Sequence, residues 1–529
     1  VSAVQPTEVG VVLTIAVFGL YLAGVVRWAW LSDDAFISFR AIDNLKHGFG
    51  LVSNPPERVL GFTNPLWTLL VFLPYALFGQ IYAVALSVSL VCSAAAAFHV
   101  ARRSARAPLG AALALLLLAL SGAYVEFSTG GLENPLAHLL LALFFTSLLR
   151  DGMRPREVRP WLLAALVTLN RMDHVLLVAP ALMGLLLSAP LTAGTGLARL
   201  RALGVVRPLR PVARAALIGG VPLLLWISFA VVYYGFPYPN TAYAKLNVEL
   251  PPRALASQGL WYLLESLQRD PLTLLVIAVG AATAVRERSR ESLGVAAGLL
   301  LYVAYVVRVG GDFMSGRFLT APLLVAVVWL AARVLSSLGE REMLSLAAVV
   351  GLLGVSFPGG LAARSAPDKG IPASGIVDER AWYQDSTGLM ENVRIRKYEH
   401  GWQFKDARAL RRKGVKVSVH PNVGLLGFAA GPGVTIVDGL ALTDPLLARI
   451  PFRSNGDFRI GHFQRDLPAG YEETLRTGTN VIEDPCLHEY YDLLSRVVRG
   501  PLFTVARWRA IFGLNFGVHD SLVNGTCKR

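Results

Sequence analysis

The sequence predicts a multi-pass α-helical membrane protein that ends in a smaller mixed α/β domain outside the membrane. Hydrophobic residues make up 54% of the 529 residues and charged residues only 16%, whereas soluble domains carry about 25% charged residues. The apolar residues collect in runs, such as 9–26 and 215–232, that are long enough to span hydrocarbon. Short basic clusters separate these runs, which is the positive-inside pattern of membrane proteins.

The basic clusters predict a topology. We place them in the cytoplasm, so the polar loops at 31–64, 126–134, 235–268 and 310–317 lie outside. The stretch 161–189 is too long for one ordinary span and too short for two, and polar residues interrupt it. It predicts two short helices whose polar tip reaches the outer side.

About eleven membrane segments follow from this topology, and the C-terminus lies outside. The stretch 65–78 would change the parity if it crossed, so it is predicted to lie at the outer surface. Residues 1–364 form the predicted membrane domain, and residues 365–529 form the soluble domain. The other predicted spans are 9–30, 80–101, 109–126, 135–149, 215–234, 271–285, 293–308, 318–336 and 344–362. The basic clusters are 102–106, 150–159, 199–214, 286–290 and 333–341.

Residues 365–529 have a different pattern. Apolar runs shorten to strand length, as at 415–419 and 434–437, and Gly, Pro, Asn and Asp separate them. A mixed α/β domain is therefore predicted. Cys486 and Cys527 both fall in this part, and an oxidising compartment would favour a disulfide between them. Two unrelated thiols are the alternative.

The net charge of +14 does not indicate nucleic-acid binding. Beyond residue 364 the chain carries 22 Lys and Arg against 18 Asp and Glu. Most of the excess positive charge therefore lies in short clusters between apolar runs. A phosphate-binding surface would instead form a continuous basic face with interleaved aromatic residues.

The segment after the first apolar run, LSDDAFISFR, carries the strongest chemical signal. Asp33 and Asp34 follow the hydrophobic helix directly, where two like charges near a low dielectric raise each other's pKa. Such a pair suits a general base or a metal site, and a helix cap is the alternative. Arg40, within two helical turns, is either a salt-bridge partner or a contact for an anionic ligand.

Four further polar clusters fall in the predicted outer loops. Ionisable groups at membrane depth are functional by default, while helix ends, internal ion pairs and surface turns are the alternatives. Because the predicted topology puts all five clusters on one side, they predict a single site open to the outer compartment and to lipid. The four clusters contain Glu133; Arg171, Asp173 and His174; Asn240, Thr241 and Lys245; and Asp312 and Arg317.

Several ordered motifs resemble one family. The chain is similar to the bacterial membrane arabinofuranosyltransferases of the GT-C class, the type that adds terminal β-(1→2)-arabinofuranose to mycobacterial arabinan. The segment GFTNPLW at 61–67 departs from the Ser/Thr-rich segment of the mycobacterial enzymes and resembles related proteins of other bacteria. The motifs that carry the resemblance are DDAFISFR at 33–40, ERV at 57–59, STGGLE at 128–133, PNTAYAK at 239–245, GGDFMSGR at 310–317, NVGLLGFAAGPGVTIVDGLALTDPL at 422–446 and RIGH at 459–462.

The resemblance implies a GT-C glycosyltransferase fold in a bacterial cytoplasmic membrane. It implies a polyprenyl-phosphate sugar donor, above all decaprenyl-phosphoryl arabinofuranose, and a glycan or glycoconjugate acceptor outside the membrane. Asp33 and Asp34 stand where such enzymes carry a catalytic acidic residue. Transfer of another sugar from the same carrier, such as mannose or galactofuranose, is the alternative.

The expected chemistry assigns roles to the other polar residues. The donor phosphate needs positive charge near hydrocarbon, and an aspartate would accept the proton of the acceptor hydroxyl or attack as a nucleophile. Polyprenyl phosphate is a good leaving group, so no cofactor is required and a divalent cation is optional. The predicted phosphate contacts are Arg317, Arg171, Lys245 and Arg40. The predicted sugar and acceptor contacts are Glu133, Asp173, His174, Asn240, Thr241, Asp312, Asn54 and Arg58.

A membrane transporter is the alternative from another class, because interrupted helices and buried charges also occur in transporters. It would predict two related halves and polar groups at mid-membrane depth. The sequence has no evident internal repeat, and most of its polar groups fall at outer helix ends. An enzyme is therefore favoured.

Overall fold

The structure, a computed structural model, describes residues 8–188, 206–356, 370–454, 458–524 and 527. The described chain is mostly helical, as predicted. The predicted domain boundary after residue 364, the end of the predicted span 344–362 and part of the basic cluster 199–214 lie outside the described residues.

Helices supply nearly all the regular structure of the described chain. Before the predicted boundary they are Glu8–Arg27, Asp33–Lys46, Pro65–Phe78, Ile81–Arg103, Pro108–Leu120, Gly122–Glu126, Asn134–Arg150, Val158–Asn170, Val175–Ser188, Val206–Tyr233, Asn240–Leu246, Pro252–Arg269, Pro271–Glu287, Arg290–Arg308, Thr320–Arg333 and Glu340–Ser356. After it they are Glu379–Thr387, Leu389–Ile395, Trp402–Arg412, Leu425–Ala430, Tyr471–Thr477, Pro485–Val498 and Val505–Asn515. Short 3₁₀ turns are Met172–His174, Arg317–Leu319, Leu335–Ser337, Leu447–Arg449 and Asp520–Leu522.

Several of these helices have the length and composition of membrane spans, and five further helices are apolar but shorter. The membrane class is therefore supported, while the number of eleven segments stays a prediction. The five candidate spans are Glu8–Arg27, Ile81–Arg103, Arg210–Tyr233, Arg290–Arg308 and Arg317–Ser337.

Local sequence signals explain where helices begin. Ser32 caps the helix Asp33–Lys46 by accepting a hydrogen bond from the N–H of Ala35 at 3.3 Å, as is usual for Ser at this position. Asp270 caps Pro271–Glu287 in the same way, and proline suits the first helical turn because its missing N–H is not needed there.

Two predicted outer loops contain more helix than expected. The stretch 31–64 includes the largely buried helix Asp33–Lys46, and 235–268 includes most of Pro252–Arg269. The second helix packs closely on a candidate span, since a Cβ on Gly259 would overlap the backbone of Val307. Tertiary packing can stabilise a helix in a polar segment whose sequence predicts a loop.

The C-terminal part contains a small parallel sheet among its helices. Val417–Val419 pairs with Thr435–Val437, and Ser418 lies opposite Ile436. Both strands fall within the predicted strand-like runs. A disulfide joins Cys486 to Cys527, the pair proposed from the sequence.

The C-terminal part packs directly on the apolar helices, beside the ends that carry the polar motifs. Leu425 and Phe463 belong to the same buried hydrophobic cluster as Trp30. The N–H of Leu389 donates to the carbonyl of Ala29, just after the first helix, at 2.8 Å. This arrangement brings C-terminal residues beside the loops that carry the polar motifs.

Candidate active site

A buried carboxylate, Glu133, holds the polar cluster together. Arg171 donates from Nη1 to its Oε1 at 2.5 Å, and Arg317 donates from Nη2 to the same oxygen at 3.2 Å. Asn64 donates from Nδ2 to Oε2 at 2.8 Å. A buried charge is costly without partners. These bonds supply them and join Glu133 to three other segments of the chain.

Arg317 links this carboxylate to two others. Its Nη1 atom lies 3.5 Å from Oδ2 of Asp312 and 3.9 Å from Oδ2 of Asp34. Gly311 has a φ of 75°, and a Cβ there would overlap the ring of Tyr262. The loop therefore turns tightly against its neighbour, and the twin-aspartate motif and the Gly-Gly-Asp loop meet at one place.

The interrupted helix pair contributes a second ion pair. Arg171 donates from Nε to Oδ1 of Asp173 at 2.7 Å, and its guanidinium lies 4.5 Å from the ring centre of Phe318. The hydroxyl of Tyr302 donates to Oδ2 of Asp173 at 3.3 Å. His174 is buried nearby, and its Nδ1 has no hydrogen-bond partner among the described residues.

The two adjacent aspartates face different neighbours, because successive helical residues are about 100° apart. Asp33 accepts the N–H of Leu425 on Oδ1 at 2.7 Å, and a Cβ on Gly424 would overlap its backbone oxygen. Asp34 faces Arg317, and its side chain keeps 26% of its surface exposed. Asp33 thus holds the C-terminal part, while Asp34 is open to a ligand.

Both aspartates have altered acidity. Burial raises the pKa of Asp33 to about 7, and the charge of Asp34 adds to the shift while the Leu425 N–H opposes it. Burial also raises the pKa of Asp34, although Arg317 and Lys245 oppose that shift. Carboxyl groups that titrate closer to neutrality suit proton transfer.

Lys245 differs from Arg171 and Arg317 because it is exposed and has no ion-pair partner in the described chain. Its side chain is exposed, yet its charge acts on Asp34. A Cβ on Gly461 would lie 3.9 Å from its Nζ. Within the described residues, no carboxylate forms an ion pair with it, so this cation remains available to an anionic ligand.

The C-terminal part adds Glu379, which the sequence did not mark, and Arg459 from the RIGH motif. Glu379 is buried, and burial raises its pKa well above the usual range, with the charges of Asp34 and Asp33 adding to the shift. Arg459 donates from Nε to the carbonyl of Gly375 at 3.0 Å, and its charge acts on Glu379. No signal marked Glu379, because an acidic residue in the first turn of a helix is common.

Two predicted ligand contacts, Arg40 and Asn54, are hydrogen-bonded within the protein. All three nitrogen positions of the buried Arg40 donate within the protein: Nε to the carbonyl of Ser53 at 2.5 Å, Nη1 to that of Gly427 at 2.6 Å, and Nη2 to that of Val434 at 2.8 Å. Nη2 also bonds Oδ1 of Asn54 at 3.0 Å, and Asn54 bonds the backbone of the second strand. These bonds fasten the C-terminal part, and the predicted contacts of both residues with donor phosphate or sugar stay predictions.

Arg58 and Asn240 are also committed to backbone groups. Arg58 donates to the carbonyl of Tyr233 at 3.2 Å and to that of Gly500. Asn240 donates from Nδ2 to the carbonyl of Ala441 at 3.0 Å and to two neighbouring carbonyls. Both side chains thus fasten the C-terminal part, and their predicted sugar or acceptor contacts stay predictions.

The remaining expectations concern Thr241 and a metal ion. Thr241 is buried, and its Oγ1 has no hydrogen-bond partner in the part of the chain that the structure describes. Across that same part, no group of three or more His, Cys, Asp or Glu side chains is placed to hold a metal ion. The optional divalent cation thus remains an expectation.

A cluster of carboxylates and cations at the ends of apolar helices is the kind of site expected of a membrane glycosyltransferase. The chain is 27% identical to the terminal beta-(1->2)-arabinofuranosyltransferase of Mycobacterium tuberculosis, over 86% of this chain and 83% of that protein. It is 29% identical to a protein of the same name from Corynebacterium glutamicum, over 59% of this chain and 48% of that protein. No protein-family model matches the chain.

These relatives confirm the predicted resemblance to the terminal arabinofuranosyltransferases. Both are named as glycosyltransferases, in agreement with the predicted class of enzyme. The first alignment extends over most of the chain, so the likeness includes much of both the apolar helices and the C-terminal part.

Proposed function

We propose that this chain transfers an arabinofuranosyl group from a polyprenyl-phosphate donor to a glycan acceptor outside the cytoplasmic membrane. The observation that carries the proposal is the meeting of Asp34, Arg317 and Asp312 at the ends of apolar helices. The names of the two relatives support arabinofuranose as the sugar. Apolar helices beside the cluster suit a donor that carries a long prenyl chain.

Asp34 is our candidate for the general base. It would accept the proton of the acceptor hydroxyl while the new bond forms from that oxygen to the anomeric carbon. The bond between the anomeric carbon and the phosphate oxygen breaks, and polyprenyl phosphate leaves with the electron pair. The partial exposure of Asp34 supports this role over Asp33, which is bonded to Leu425. A two-step route through a covalent intermediate on Asp34 is the alternative.

Lys245 is our first candidate for contact with the donor phosphate. Arg317 and Arg171 already pair with buried carboxylates, so a phosphate would compete with Glu133 for them. A phosphodiester near hydrocarbon still needs positive charge, and Lys245 supplies it without loss of an ion pair in the described chain. Arg317 and Arg171 then set the position and charge of the carboxylates.

The orientation in the membrane is part of the same proposal. The basic clusters favour a cytoplasmic position for the opposite helix ends, which places the cluster and the C-terminal part outside. Cysteine labelling of intact cells with an impermeant reagent tests this. The variants Lys413→Cys and Arg253→Cys should both react from outside. Reaction of either variant only after the membrane is opened would contradict the orientation.

The experiment for the transfer itself compares donors on the purified protein. Synthetic prenyl-phosphate donors that carry arabinofuranose, mannose or galactofuranose are supplied with an arabinan acceptor. We expect product from the arabinofuranose donor, and a rate lower by roughly 100-fold or more with Asp34→Asn. If only the mannose or the galactofuranose donor gives product, that sugar is the one transferred and arabinofuranose is not. If none of the three donors gives product, the proposed transfer is overturned.

A further inference from the structure

The end of the C-terminal part presents an exposed apolar surface that the proposed chemistry does not use. Phe503 is 81% exposed, Phe512 58%, Phe516 78% and Val518 69%. The rings of Phe512 and Phe516 stack with their centres 6.1 Å apart. Soluble proteins rarely leave so many large apolar side chains together in water, so such a patch marks a binding surface.

The helix Val505–Asn515 that carries this patch is fixed to the end of a candidate span. The buried Arg507 donates from Nη1 to the carbonyl of Val232 at 2.8 Å and from Nη2 to that of Tyr233 at 3.0 Å. Asn515 donates from Nδ2 to the carbonyl just beyond, at Gly235, at 2.8 Å. Because the candidate span ends at Tyr233, these bonds set the patch at the level where the hydrocarbon stops.

The lipid-facing side of the span supports this placement. Leu217 and Leu225 on the span are 63% and 65% exposed, as expected of side chains that contact acyl chains. An exposed apolar surface of this kind suits a span that faces lipid. Arg509 is exposed on the same helix, and arginine at such a boundary can extend its charge to headgroup phosphates.

We infer that the helix Val505–Asn515, with the flanking Phe503, Phe516 and Val518, lies in the boundary between headgroups and acyl chains of the bilayer. Phenylalanine and other large apolar side chains are the groups that boundary segments bury in that layer. The C-terminal part is then held on the membrane by its own lipid contact as well as by Arg507. The disulfide between Cys486 and Cys527 fastens the tail that follows this helix.

Spin labels test this placement in the full-length protein in nanodiscs. Phe512→Cys and Phe516→Cys are each labelled in a background where the buried Cys92 is replaced by Ala. Val419→Cys is the matched control, because Val419 is 42% exposed in the same C-terminal part. Collision with molecular oxygen, which concentrates in lipid, is compared with collision with a polar nickel chelate.

We expect the ratio of oxygen to nickel collisions at residues 512 and 516 to exceed that at 419 by at least about threefold, as for a side chain in the acyl boundary. Equal ratios at all three positions would place the patch in water and overturn the inference. Labels shielded from both reagents would indicate a protein partner or a second copy of the chain, and would also overturn it. If one variant fails to fold, the other gives an independent reading.

Discussion

Arg317 donates to Glu133 at 3.2 Å and so joins the start of one candidate span to the loop before another apolar helix. The two residues are far apart in the sequence, and they lie in the motifs STGGLE at 128–133 and GGDFMSGR at 310–317. A bond of this kind lets a carboxylate remain charged away from water. It also fixes the guanidinium beside Asp34 and Asp312.

Loss of the central carboxylate should destabilise the protein. Glu133→Gln removes the negative charge that Arg171 and Arg317 share, and loss of one charge of a buried pair costs about 3–5 kcal/mol. We expect a lower thermal unfolding midpoint in detergent. Glu249→Gln is the control, because its pair with Arg453 is exposed and such pairs contribute little. Equal midpoints for both variants would contradict the role assigned to Glu133.

Replacement of the proposed base should remove turnover and leave the fold intact. Asp34→Asn keeps the size of the side chain but cannot accept the proton, so we expect kcat to fall by roughly 100-fold or more. Asp43→Asn, on the same helix and outside the cluster, should keep its activity. Steady-state transfer from the prenyl-phosphate donor measures both. Full activity in Asp34→Asn would exclude it as the base.

Much of this site could be predicted from sequence, because polar residues that interrupt apolar runs are rare. The clusters around Asp34, Glu133, Arg171 and Arg317 stood out on that ground, and the charge-derived topology put them on one side. Their contacts in the structure bring these same residues together. The likeness to arabinofuranosyltransferases was likewise readable from ordered motifs.

The rest could not be predicted, for physical reasons. In the sequence, a buried arginine that donates to carbonyls, such as Arg40, cannot be distinguished from an arginine that binds phosphate. Only the fold shows which partners it has. Glu379 approaches the aspartates from a segment more than 300 residues away, and no local pattern reports such a contact. The helix Pro252–Arg269 depends on packing through Gly259, which propensity does not describe.

The exposed cation Lys245 should act mainly on donor binding. Lys245→Ala removes positive charge beside Asp34 without breaking an ion pair in the described chain, so we expect the KM for the prenyl-phosphate donor to rise about 10-fold. The thermal midpoint should stay close to that of the unaltered protein. Lys245→Arg should restore much of the affinity. An unchanged KM in Lys245→Ala would move the phosphate contact to another residue.

Buried carboxyls should make the protein less stable as the pH rises. The pKa of Asp33 is raised to about 7 from an ordinary value near 4, so its contribution to folding is complete below pH 4 and is lost as the pH passes 7. Burial likewise raises the pKa of Asp444 to about 7. We expect a higher thermal midpoint at pH 5 than at pH 8.

Asp33→Asn tests the share of Asp33 in this pH dependence. The variant cannot titrate at this position, so the difference in midpoint between pH 5 and pH 8 should shrink while the contribution of Asp444 remains. Thermal unfolding at several pH values, in one detergent and at constant ionic strength, measures the difference. A variant with the same pH dependence as the unaltered protein would show that Asp33 does not titrate as described.

Arg40 offers the sharpest distinction between a ligand contact and a structural one. Arg40→Lys retains the charge but cannot reach the carbonyls of Ser53, Gly427 and Val434 together, and each buried carbonyl left without a donor costs about 1–3 kcal/mol. We therefore expect a lower thermal midpoint and faster proteolysis of the C-terminal part. The KM for the donor, measured on the folded fraction, should not change. Arg453→Lys, an exposed counterpart, should alter neither property. A tenfold rise in KM at unchanged stability would instead restore the phosphate contact that the sequence predicted.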